Sequence, residues 1–562
     1  MGDTWREVFG HEEPYSEQAD GIETAIEAAD CDGFAVIEGA CGTGKTMLAL
    51  TAGIDRVRDP DSSFERVVVL TSVKQQLRQF EDDVRTINAN LPDDWRPVSA
   101  LTLVGKADVC PYSRERAGNI DDTTVYDRCE GLRERTRNLT GEEGPTTAAT
   151  LATEARRTQT GLLDTGADGA TPDYLETAGE TTPYPPDTAE YDGTEYCPFY
   201  AQYLDDLPEE GDPVEAVPFD FEDRGLLDTA DLVGLAASHG TCPHSMLGAL
   251  LPQVEVVIGN YYHAFDPRTT DSFTGPLLDD STFVVCDEAH MLEPRVRDLV
   301  SDGVADATLR DAESELTRVI QPLEFDDTES HAAGATADVN ARDAAMIRGE
   351  LDEADVSLAE VKETRAFVRD LREELDRRVR AYLDRERPAW HTAMDDLSDD
   401  EIPLRDPETP EPDAITEWAD GAYGDDVWVR AETVGAVVAR VLNELEEADR
   451  ERAAPTVGRV LGAWYRADHS RYFRSIDLSR TWNEAEPSDS WRRAYTARLS
   501  LHNCVPGDAI ADRLDDFGGG VLMSATLEPL DVFRAVTGLD ELAEQGRPVV
   551  ERTYGLSFPA GN

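Results

Sequence analysis

One short glycine-rich segment constrains the fold of this chain more than any other feature. Residues 39–46 read G-A-C-G-T-G-K-T and fit the phosphate-loop pattern G-x-x-x-x-G-K-[ST]. An apolar run at residues 33–38 predicts a buried strand before the loop, and the pattern after the loop predicts a helix. Backbone N–H groups of such a loop close around phosphate oxygens, aided by the helix dipole. The chain is therefore predicted to contain a nucleotide-binding α/β domain.

The second half of the predicted site is the D-E-A-H segment at residues 287–290, which follows the apolar run 283–286. A strand there would deliver Asp287 to a metal ion and Glu288 to the attacking water. In the loop, Lys45 would reach the β- and γ-phosphates and the Thr46 hydroxyl would hold Mg²⁺. We predict Lys45 and Glu288 as catalytic residues, and Thr46 and Asp287 as Mg²⁺ ligands. The predicted ATP-binding loop residues are Gly39, Ala40, Cys41, Gly42, Thr43, Gly44, Lys45 and Thr46.

Short apolar runs recur along the chain, at residues 67–70 and 254–259 as well as 283–286, with helical patterns between them. This alternation predicts an α/β fold with the doubly wound parallel sheet of a RecA-like P-loop domain. Two stretches interrupt it. Residues 139–196 carry few large apolar side chains, which predicts a flexible insertion without a core. Residues 300–495 are predicted to form a mostly helical domain.

The charge of the chain is extreme: 116 Asp and Glu residues against 52 Lys and Arg give a net charge of -64. The acids are spread along the whole length, so a solvated acidic tail does not account for them. Adaptation to a cytoplasm of very high salt accounts for them, because salt screens the repulsion between the acidic side chains. The N-terminus lacks the basic and apolar regions of a signal peptide, and no run is long enough to span a bilayer. We predict a cytoplasmic protein with no membrane partner.

Four of the eight cysteines lie between the phosphate loop and the apolar run 283–286 that precedes the D-E-A-H segment, and they are separated by 18, 67 and 44 residues. A reducing cytoplasm disfavours disulfides. Ligation of a cluster needs four thiolates close in space rather than at fixed spacing, whereas zinc sites usually contain short C-x₂₋₄-C pairs, which the sequence lacks. The residues alone leave a cluster, zinc and free thiols as alternatives. The four cysteines are Cys110, Cys129, Cys197 and Cys242; Cys31, Cys41, Cys286 and Cys504 are predicted to be core or loop residues.

Four further segments complete a pattern of six motifs. Residues 14–18, P-Y-S-E-Q, are similar to an adenine-recognising P-Y-x-x-Q segment. Residues 71–79, T-S-V-K-Q-Q-L-R-Q, resemble a strand-binding T-R-T-H-x-Q-L-x-Q element, from which Ser72 and Lys74 depart. Residues 259–267 resemble N-Y-H-x-L-x-D-P, and residues 524–531 resemble S-A-T-L-x-P-L-D. Together the six resemble the XPD-like iron–sulfur group of superfamily 2 DNA helicases, in a haloarchaeal form.

This resemblance implies roles for further residues. Gln18 would read the adenine of ATP, and Ser524, Ala525 and Thr526 would couple hydrolysis to DNA movement. The four spaced cysteines would bind a [4Fe–4S] cluster, and residues 300–495 would form the family's Arch domain. Expected partners are single-stranded DNA and duplex junctions, with 5′→3′ movement and a role in DNA repair. A DinG-like relative within the family remains an alternative.

The resemblance also sets expected domain boundaries. Residues 1–108, 246–299 and 496–545 would form the first motor domain, interrupted by an iron–sulfur domain at 109–245 and the Arch-like domain at 300–495. Residues 546–562 would begin the link to a second motor domain. That domain's Q-x-x-G-R-x-x-R element does not occur in the sequence. We therefore expect a truncated or split motor, whose second domain could be a separate chain. The alternative is an ATP- and DNA-binding module or subunit that does not unwind DNA.

Overall fold

The computed structural model describes residues 4–116, 120, 125–141, 144–164, 182–184, 187–328, 335–391, 397–405, 412–446 and 452–555. The chain divides into two compact units. The first comprises residues 1–299 and 506–562, and the second comprises residues 300–505. The second boundary lies ten residues beyond residue 495, the end that the sequence predicts for the helical domain.

The strands and helices are numbered in chain order. The strands are β1 Phe34–Gly39, β2 Arg66–Thr71, β3 Ala100–Thr102, β4 Ala189–Tyr191, β5 Thr194–Tyr196, β6 Leu226–Leu227, β7 Val256–Asn260, β8 Thr282–Asp287, β9 Asp302–Ala305, β10 Asp400–Pro403, β11 Tyr472–Arg480, β12 Tyr495–Asn503, β13 Gly519–Ser524 and β14 Val549–Tyr554. The helices are α1 Ser16–Ala29, α2 Lys45–Arg58, α3 Lys74–Asn90, α4 Lys106–Val109, α5 Pro111–Glu115, α6 Val125–Thr140, α7 Ala148–Asp164, α8 Pro198–Asp206, α9 Thr229–His239, α10 Pro243–Leu250, α11 Tyr262–Phe265, α12 Pro267–Thr269, α13 Leu292–Val300, α14 Asp306–Thr328, α15 Ala335–Glu353, α16 Leu358–Glu386, α17 Ala414–Tyr423, α18 Val427–Glu446, α19 Ala453–Arg466, α20 Gly507–Asp515, α21 Leu530–Val536 and α22 Leu539–Glu544.

The first unit is built on an eight-stranded sheet in the order β14-β1-β13-β8-β2-β7-β3-β6. Every neighbouring pair in it is parallel. The central strands are runs of Val, Ile and Leu buried on both faces, as parallel sheets require. Helices α1, α2 and α3 bury Ile22, Leu48 and Phe80 in one apolar cluster with alternate strand residues. The predicted α/β fold with a parallel sheet is confirmed.

The sheet brings the ends of distant segments together. Strands β1, β13, β8 and β2 are neighbours, and Glu38 pairs with Ser524 while Met523 pairs with Asp287. Because parallel strands end at the same edge of a sheet, the phosphate loop, the S-A-T segment and the D-E-A-H segment all begin at one edge. This edge is where an open α/β sheet binds its ligands.

The region between β3 and β7 has cores of its own. One contains Val109, Tyr112 and Phe199, and a smaller one contains Leu139 and Leu151. Helix α7 and strands β4 and β5 lie within residues 139–196, so the described part of this stretch is folded, in contrast to the predicted insertion without a core. Alanine-rich α7 needs only a few apolar residues to pack. Residues 165–181 lie outside the described part.

The second unit combines six helices with an antiparallel sheet in the order β10-β11-β12-β9, counted over its described residues. Its core contains three fully buried tryptophans, Trp428, Trp464 and Trp491. The predicted helices are present, but the sequence analysis did not predict the sheet. Strand β12 belongs to this sheet, which is why the unit extends to residue 505. None of the helices described in either unit is long and apolar enough to cross a bilayer.

Candidate nucleotide site and four-cysteine site

The phosphate loop joins β1 to α2 and depends on glycine at two positions. Gly42 and Gly44 have φ values of 86° and 73°, in the left-handed region that favours glycine. At Gly44 an added Cβ would also lie 2.0 Å from the Gln18 side chain. The Lys45 ammonium donates to the loop carbonyls of Gly39 at 2.5 Å and Ala40 at 3.4 Å. The lysine thus lies inside the loop that its motif assigns to phosphate binding.

Gln18, the predicted adenine reader, is attached to the same loop. Its Nε2 donates to the Gly44 carbonyl at 3.2 Å, and its Oε1 accepts from the Tyr15 backbone N–H at 3.0 Å. Only 4% of the residue is exposed. Both ends of the carboxamide are therefore engaged, and reading adenine would require Gln18 to exchange at least one of these hydrogen bonds.

Thr46, a predicted Mg²⁺ ligand, has a partner that the sequence analysis missed. Its hydroxyl donates to Asp83 Oδ2 on α3 at 2.6 Å. Gln79 Nε2 donates to the other oxygen of Asp83 at 3.2 Å. Burial of Asp83 raises the pKa of its carboxyl group, against the opposing effect of the Thr46 hydrogen bond. The i, i+4 spacing of Gln79 and Asp83 is visible in the sequence, but their partner on α2 is not.

Asp287, the second predicted Mg²⁺ ligand, is 5% exposed at the end of β8. Burial, and then the neighbouring charge of Glu288, raises the pKa of Asp287 to about 6, while Lys45 acts in the opposite direction. The Thr71 hydroxyl oxygen lies 3.4 Å from Asp287 Oδ2. A carboxylate that is buried beside another carboxylate favours a cation, so this position suits a divalent metal ion.

Glu288 lies at the centre of a hydrogen-bonded group drawn from three motifs. Gln76 Nε2 donates to its Oε1 at 3.2 Å, and the Ser524 hydroxyl donates to its Oε2 at 3.0 Å. His290 Nδ1 lies 3.2 Å from the same Oε2 and 2.7 Å from the Ser524 hydroxyl. The Thr71 hydroxyl donates to Gln76 Oε1 at 2.5 Å. The structure thus places Glu288 between α3 and the S-A-T segment; Gln76 and His290 are additions to the predicted site.

The rest of the S-A-T segment is anchored to β1. The Thr526 backbone N–H points to the Ser524 hydroxyl at 3.4 Å. Beyond it, the backbone N–H groups of Leu527 and Glu528 donate to Glu38 Oε2 at 2.5 and 2.6 Å. Ala525 lies between Ser524 and Thr526 in this turn. Because Glu38 directly precedes the phosphate loop, the turn after β13 is fixed to the strand that carries that loop.

The four predicted ligand cysteines lie close enough for their thiols to interact electrostatically. Cys110 interacts with Cys129 and Cys242, and Cys197 interacts with all three others. Burial, and then these neighbours, raise the pKa of Cys110 to about 12 and that of Cys129 to about 11. Thiolates crowded in this way need a cationic partner, which is the chemistry of a metal site. Cys129 also lies near the cationic groups of Lys106 and Arg133.

The local geometry of these cysteines is repetitive. Cys110, Cys197 and Cys242 each directly precede a helix whose first residue is proline, and Cys129 lies within α6. Cys110, Cys197 and Cys242 pack against one apolar core that contains Tyr112 and Phe199. Four partly buried thiols beside an apolar core fit the ligand set of an iron–sulfur cluster. Of the others, Cys286 is buried within β8, and Cys31, Cys41 and Cys504 are exposed.

Comparisons with known proteins agree with the motifs. The DEAD_2 family model matches residues 71–309, a range containing the four cysteines and the D-E-A-H segment, and confirms the predicted superfamily 2, XPD-like resemblance. A search of curated proteins finds no match. Similar solved structures include one titled "XPD_Helicase" (12% identity, TM-score 0.41, 97% of this chain and 63% of that chain). Others are "Truncated XPD" (13%, 0.38, 94% and 98%) and "XPD_APO" (11%, 0.35, 95% and 57%). This chain therefore spans under two thirds of the first and third of these proteins.

Proposed function

We propose that the chain is an ATP-dependent DNA helicase motor of the XPD-like group, because the DEAD_2 family model matches residues 71–309. The observation that carries the proposal is the position of Glu288, which accepts hydrogen bonds from Gln76 and Ser524. The carboxylate that would act on water is therefore joined to two segments that, by resemblance, bind DNA and couple its movement. A simple nucleotide-binding domain would not need these connections.

The proposed chemistry is attack of water on the γ-phosphorus of ATP. Glu288 accepts the proton of the attacking water while the bond between the γ-phosphorus and the β,γ-bridging oxygen breaks, giving ADP and phosphate. Lys45 neutralises charge on the β- and γ-phosphates. Thr46 and Asp287 would hold Mg²⁺, which supplies further charge neutralisation when bound. Gln76 and Ser524 orient the two oxygens of Glu288 toward the water.

ATP hydrolysis and strand displacement test this proposal directly. Glu288→Gln keeps the shape of the side chain but removes the base, and we expect it to bind ATP and lose hydrolysis by about 10²–10⁴-fold. Lys45→Ala is expected to weaken nucleotide binding. Duplexes with a 5′ or a 3′ single-stranded tail distinguish the proposed 5′→3′ movement from its opposite. Hydrolysis that survives both substitutions would contradict the assigned site.

We also propose that Cys110, Cys129, Cys197 and Cys242 bind a [4Fe–4S] cluster. The apolar core beside Cys110, Cys197 and Cys242 and the mutual electrostatic effects of all four thiols support a site for a cationic centre. Zinc is the competing metal. Anaerobic purification followed by iron, sulfide and zinc analysis distinguishes the two, and zinc without iron would contradict the cluster.

The alternative function is an ATP- and DNA-binding subunit that does not unwind DNA. Such a subunit would bind ATP and DNA without the arginine that a second motor domain places across the nucleotide cleft. An arginine acting across the nucleotide cleft contributes about 10³–10⁵-fold to phosphoryl transfer in related reactions. We therefore propose that efficient unwinding needs a second motor domain, supplied by another chain if not by this one. Strand displacement measured with and without such a domain separates the two functions.

Two biological assignments complete the proposal. The even distribution of 116 acidic residues supports a cytoplasm of very high salt as the setting. A role in DNA repair rests on the resemblance alone. Loss of the gene would then raise sensitivity to DNA damage, and unchanged survival after ultraviolet irradiation would argue against that role.

A further inference from the structure

Asp83 stands out among the carboxylates of the first unit because of its partner. It is a mostly buried residue, 9% exposed, on the third turn of α3. Its Oδ2 accepts the hydroxyl proton of Thr46 at 2.6 Å, and its Oδ1 accepts from Gln79 Nε2 at 3.2 Å. Both oxygens are thus occupied, and the carboxylate is fixed in one orientation.

The consequence for Thr46 follows from the chemistry of a hydroxyl group. A threonine hydroxyl has one proton and two acceptor lone pairs. When its proton points to Asp83, the lone pairs are left for a cation on the other side. Without that acceptor, a threonine in the first turn of a helix can turn its proton to a nearby backbone carbonyl instead. The other threonine of the loop does this: the Thr43 hydroxyl donates to the Ala40 carbonyl at 2.9 Å.

The position of Asp83 on α3 strengthens this assignment. Gln76 and Asp83 are seven residues apart, so they lie on one face of the helix, two turns from each other. Gln76 holds Glu288, and Asp83 holds Thr46. One helix therefore fixes both the carboxylate proposed to act on water and a hydroxyl proposed to bind Mg²⁺. Leu77, Phe80 and Val84 anchor that helix in the core beneath the sheet edge.

We propose that Asp83 is a positioning residue for Mg²⁺: it takes the Thr46 proton and so directs the hydroxyl oxygen toward the metal ion. This inference rests on the proposed nucleotide site. Partners that orient metal ligands in this way typically change metal affinity by about 10–100-fold when removed. Asp83 would act through the Thr46 hydroxyl and not on the phosphates, so the affinity for nucleotide without metal should not depend on it.

The test is a metal titration of nucleotide binding. A fluorescent, non-hydrolysable ATP analogue, mant-AMP-PNP, is bound by the whole chain in molar KCl, first in EDTA and then with increasing Mg²⁺ or Mn²⁺. We expect Asp83→Ala to need about 10–100-fold more Mg²⁺ or Mn²⁺ for half of the metal-dependent increase in analogue binding. Binding of the analogue in EDTA should be unchanged. Asp83→Asn should remain close to wild type, because its amide oxygen can still accept from Thr46.

Asp82→Ala is the matched control. It removes the same group from the preceding position of α3, where the side chain is 71% exposed and paired with Arg85. A metal dependence of Asp83→Ala equal to that of wild type would overturn the inference, and so would an equal loss of binding with and without metal. If wild type and Lys45→Ala bind the analogue equally, the nucleotide site itself is wrong, which identifies a failure of the proposed function.

Discussion

The Ser524 hydroxyl donates a hydrogen bond to Glu288 Oε2 at 3.0 Å, across a sequence separation of 236 residues. The register between strands β8 and β13 explains how Ser524 and Glu288 come into contact. Strands β8 and β13 are parallel neighbours, and Met523 pairs with Asp287, so the residues that follow them emerge side by side. A carboxylate at the end of one strand is thereby connected to the turn after the next. A change in the position of that turn would therefore alter a hydrogen bond of the group proposed to activate water.

We expect Gln76 and Ser524 to control hydrolysis through Glu288. A hydrogen bond to a charged group contributes about 1.5–3 kcal/mol, so Gln76→Ala should lower the ATPase rate by about tenfold or more. Gln76→Glu is the sharper variant, because it places a second carboxylate against Glu288 Oε1 and should lower the rate further. The measurement is steady-state phosphate release at saturating ATP. Thr86→Ala on the same helix is the control, since its hydroxyl bonds only to the helix carbonyl of Asp82 among the contacts described for it.

Ser524→Ala should separate hydrolysis from its stimulation by DNA. The substitution leaves Gln76 in place, so a basal rate is expected to remain, whereas the link between Glu288 and the turn after β13 is lost. The ratio of ATPase rates with and without single-stranded DNA is the quantity to measure. An unchanged ratio in Ser524→Ala would show that the coupling does not pass through this hydrogen bond.

The parts of the fold that follow from local composition were predictable. The glycine pattern of residues 39–46 allows the positive φ values of Gly42 and Gly44, and apolar, β-branched runs such as residues 67–70 indicate buried strands. Parallel pairing then places the D-E-A-H and S-A-T segments at one edge. Order along the chain and these short patterns are therefore enough to predict which edge of the sheet carries the candidate nucleotide site.

What escaped prediction depends on packing between distant elements. The bond between Thr46 and Asp83 exists because α3 packs beside α2, which no local pattern specifies. The antiparallel sheet of the second unit was also missed. Strands β11 and β12 alternate apolar and polar residues, but they include charged side chains such as Arg474 and Asp477 and follow a long helical stretch. The alternation of apolar and polar residues that marks these strands was therefore not recognised within a stretch whose other patterns are helical.

Replacing any one of the four clustered cysteines by serine is expected to abolish the iron content and visible colour of the protein, because a [4Fe–4S] cluster needs all its thiolates. Wild-type protein handled without oxygen should contain about four irons per chain. Cys504→Ser is the control, since Cys504 is exposed and lies in the other unit. Iron retained in Cys129→Ser would remove that residue from the proposed ligand set.

Asp306 should set the acid stability of the second unit. It accepts hydrogen bonds from Arg492 at 2.6 and 2.7 Å and from Arg372 at 3.1 Å. Burial acts to raise the pKa of Asp306, but the hydrogen bonds and charge of Arg492 outweigh it, and the pKa lies below its ordinary value of 3.8. A lowered carboxyl pKa contributes stability above the ordinary value and loses it as pH falls through the folded one. Asp306→Asn should therefore be destabilised at neutral pH and converge with wild type in acid.

Melting temperatures measured between neutral pH and pH 3 check this prediction. Asp306→Ala leaves Arg372 and Arg492 without their shared carboxylate. Because both arginines are partly exposed and Arg492 keeps Asp376, the cost should be smaller than the about 3–5 kcal/mol of a fully buried pair. Asp311→Asn is the matched control, because Asp311 is more than half exposed and pairs only with exposed Arg310 among the contacts described for it. A difference between Asp306→Asn and wild type that persists unchanged at pH 3 would contradict the assignment.

The salt dependence of stability tests the meaning of the net charge of -64. At molar ionic strength the Debye length is about 3 Å, so acidic side chains on the surface scarcely repel one another. At about 0.1 M it grows to about 10 Å, and repulsion among 116 carboxylates then favours expanded states. We expect the melting temperature to fall steadily as KCl is diluted from molar concentration to about 0.1 M. A neutral osmolyte such as sucrose, which does not screen charge, should fail to reproduce the full effect of KCl. A melting temperature that rises on dilution would contradict adaptation to high salt, because unscreened carboxylates can only repel one another more strongly.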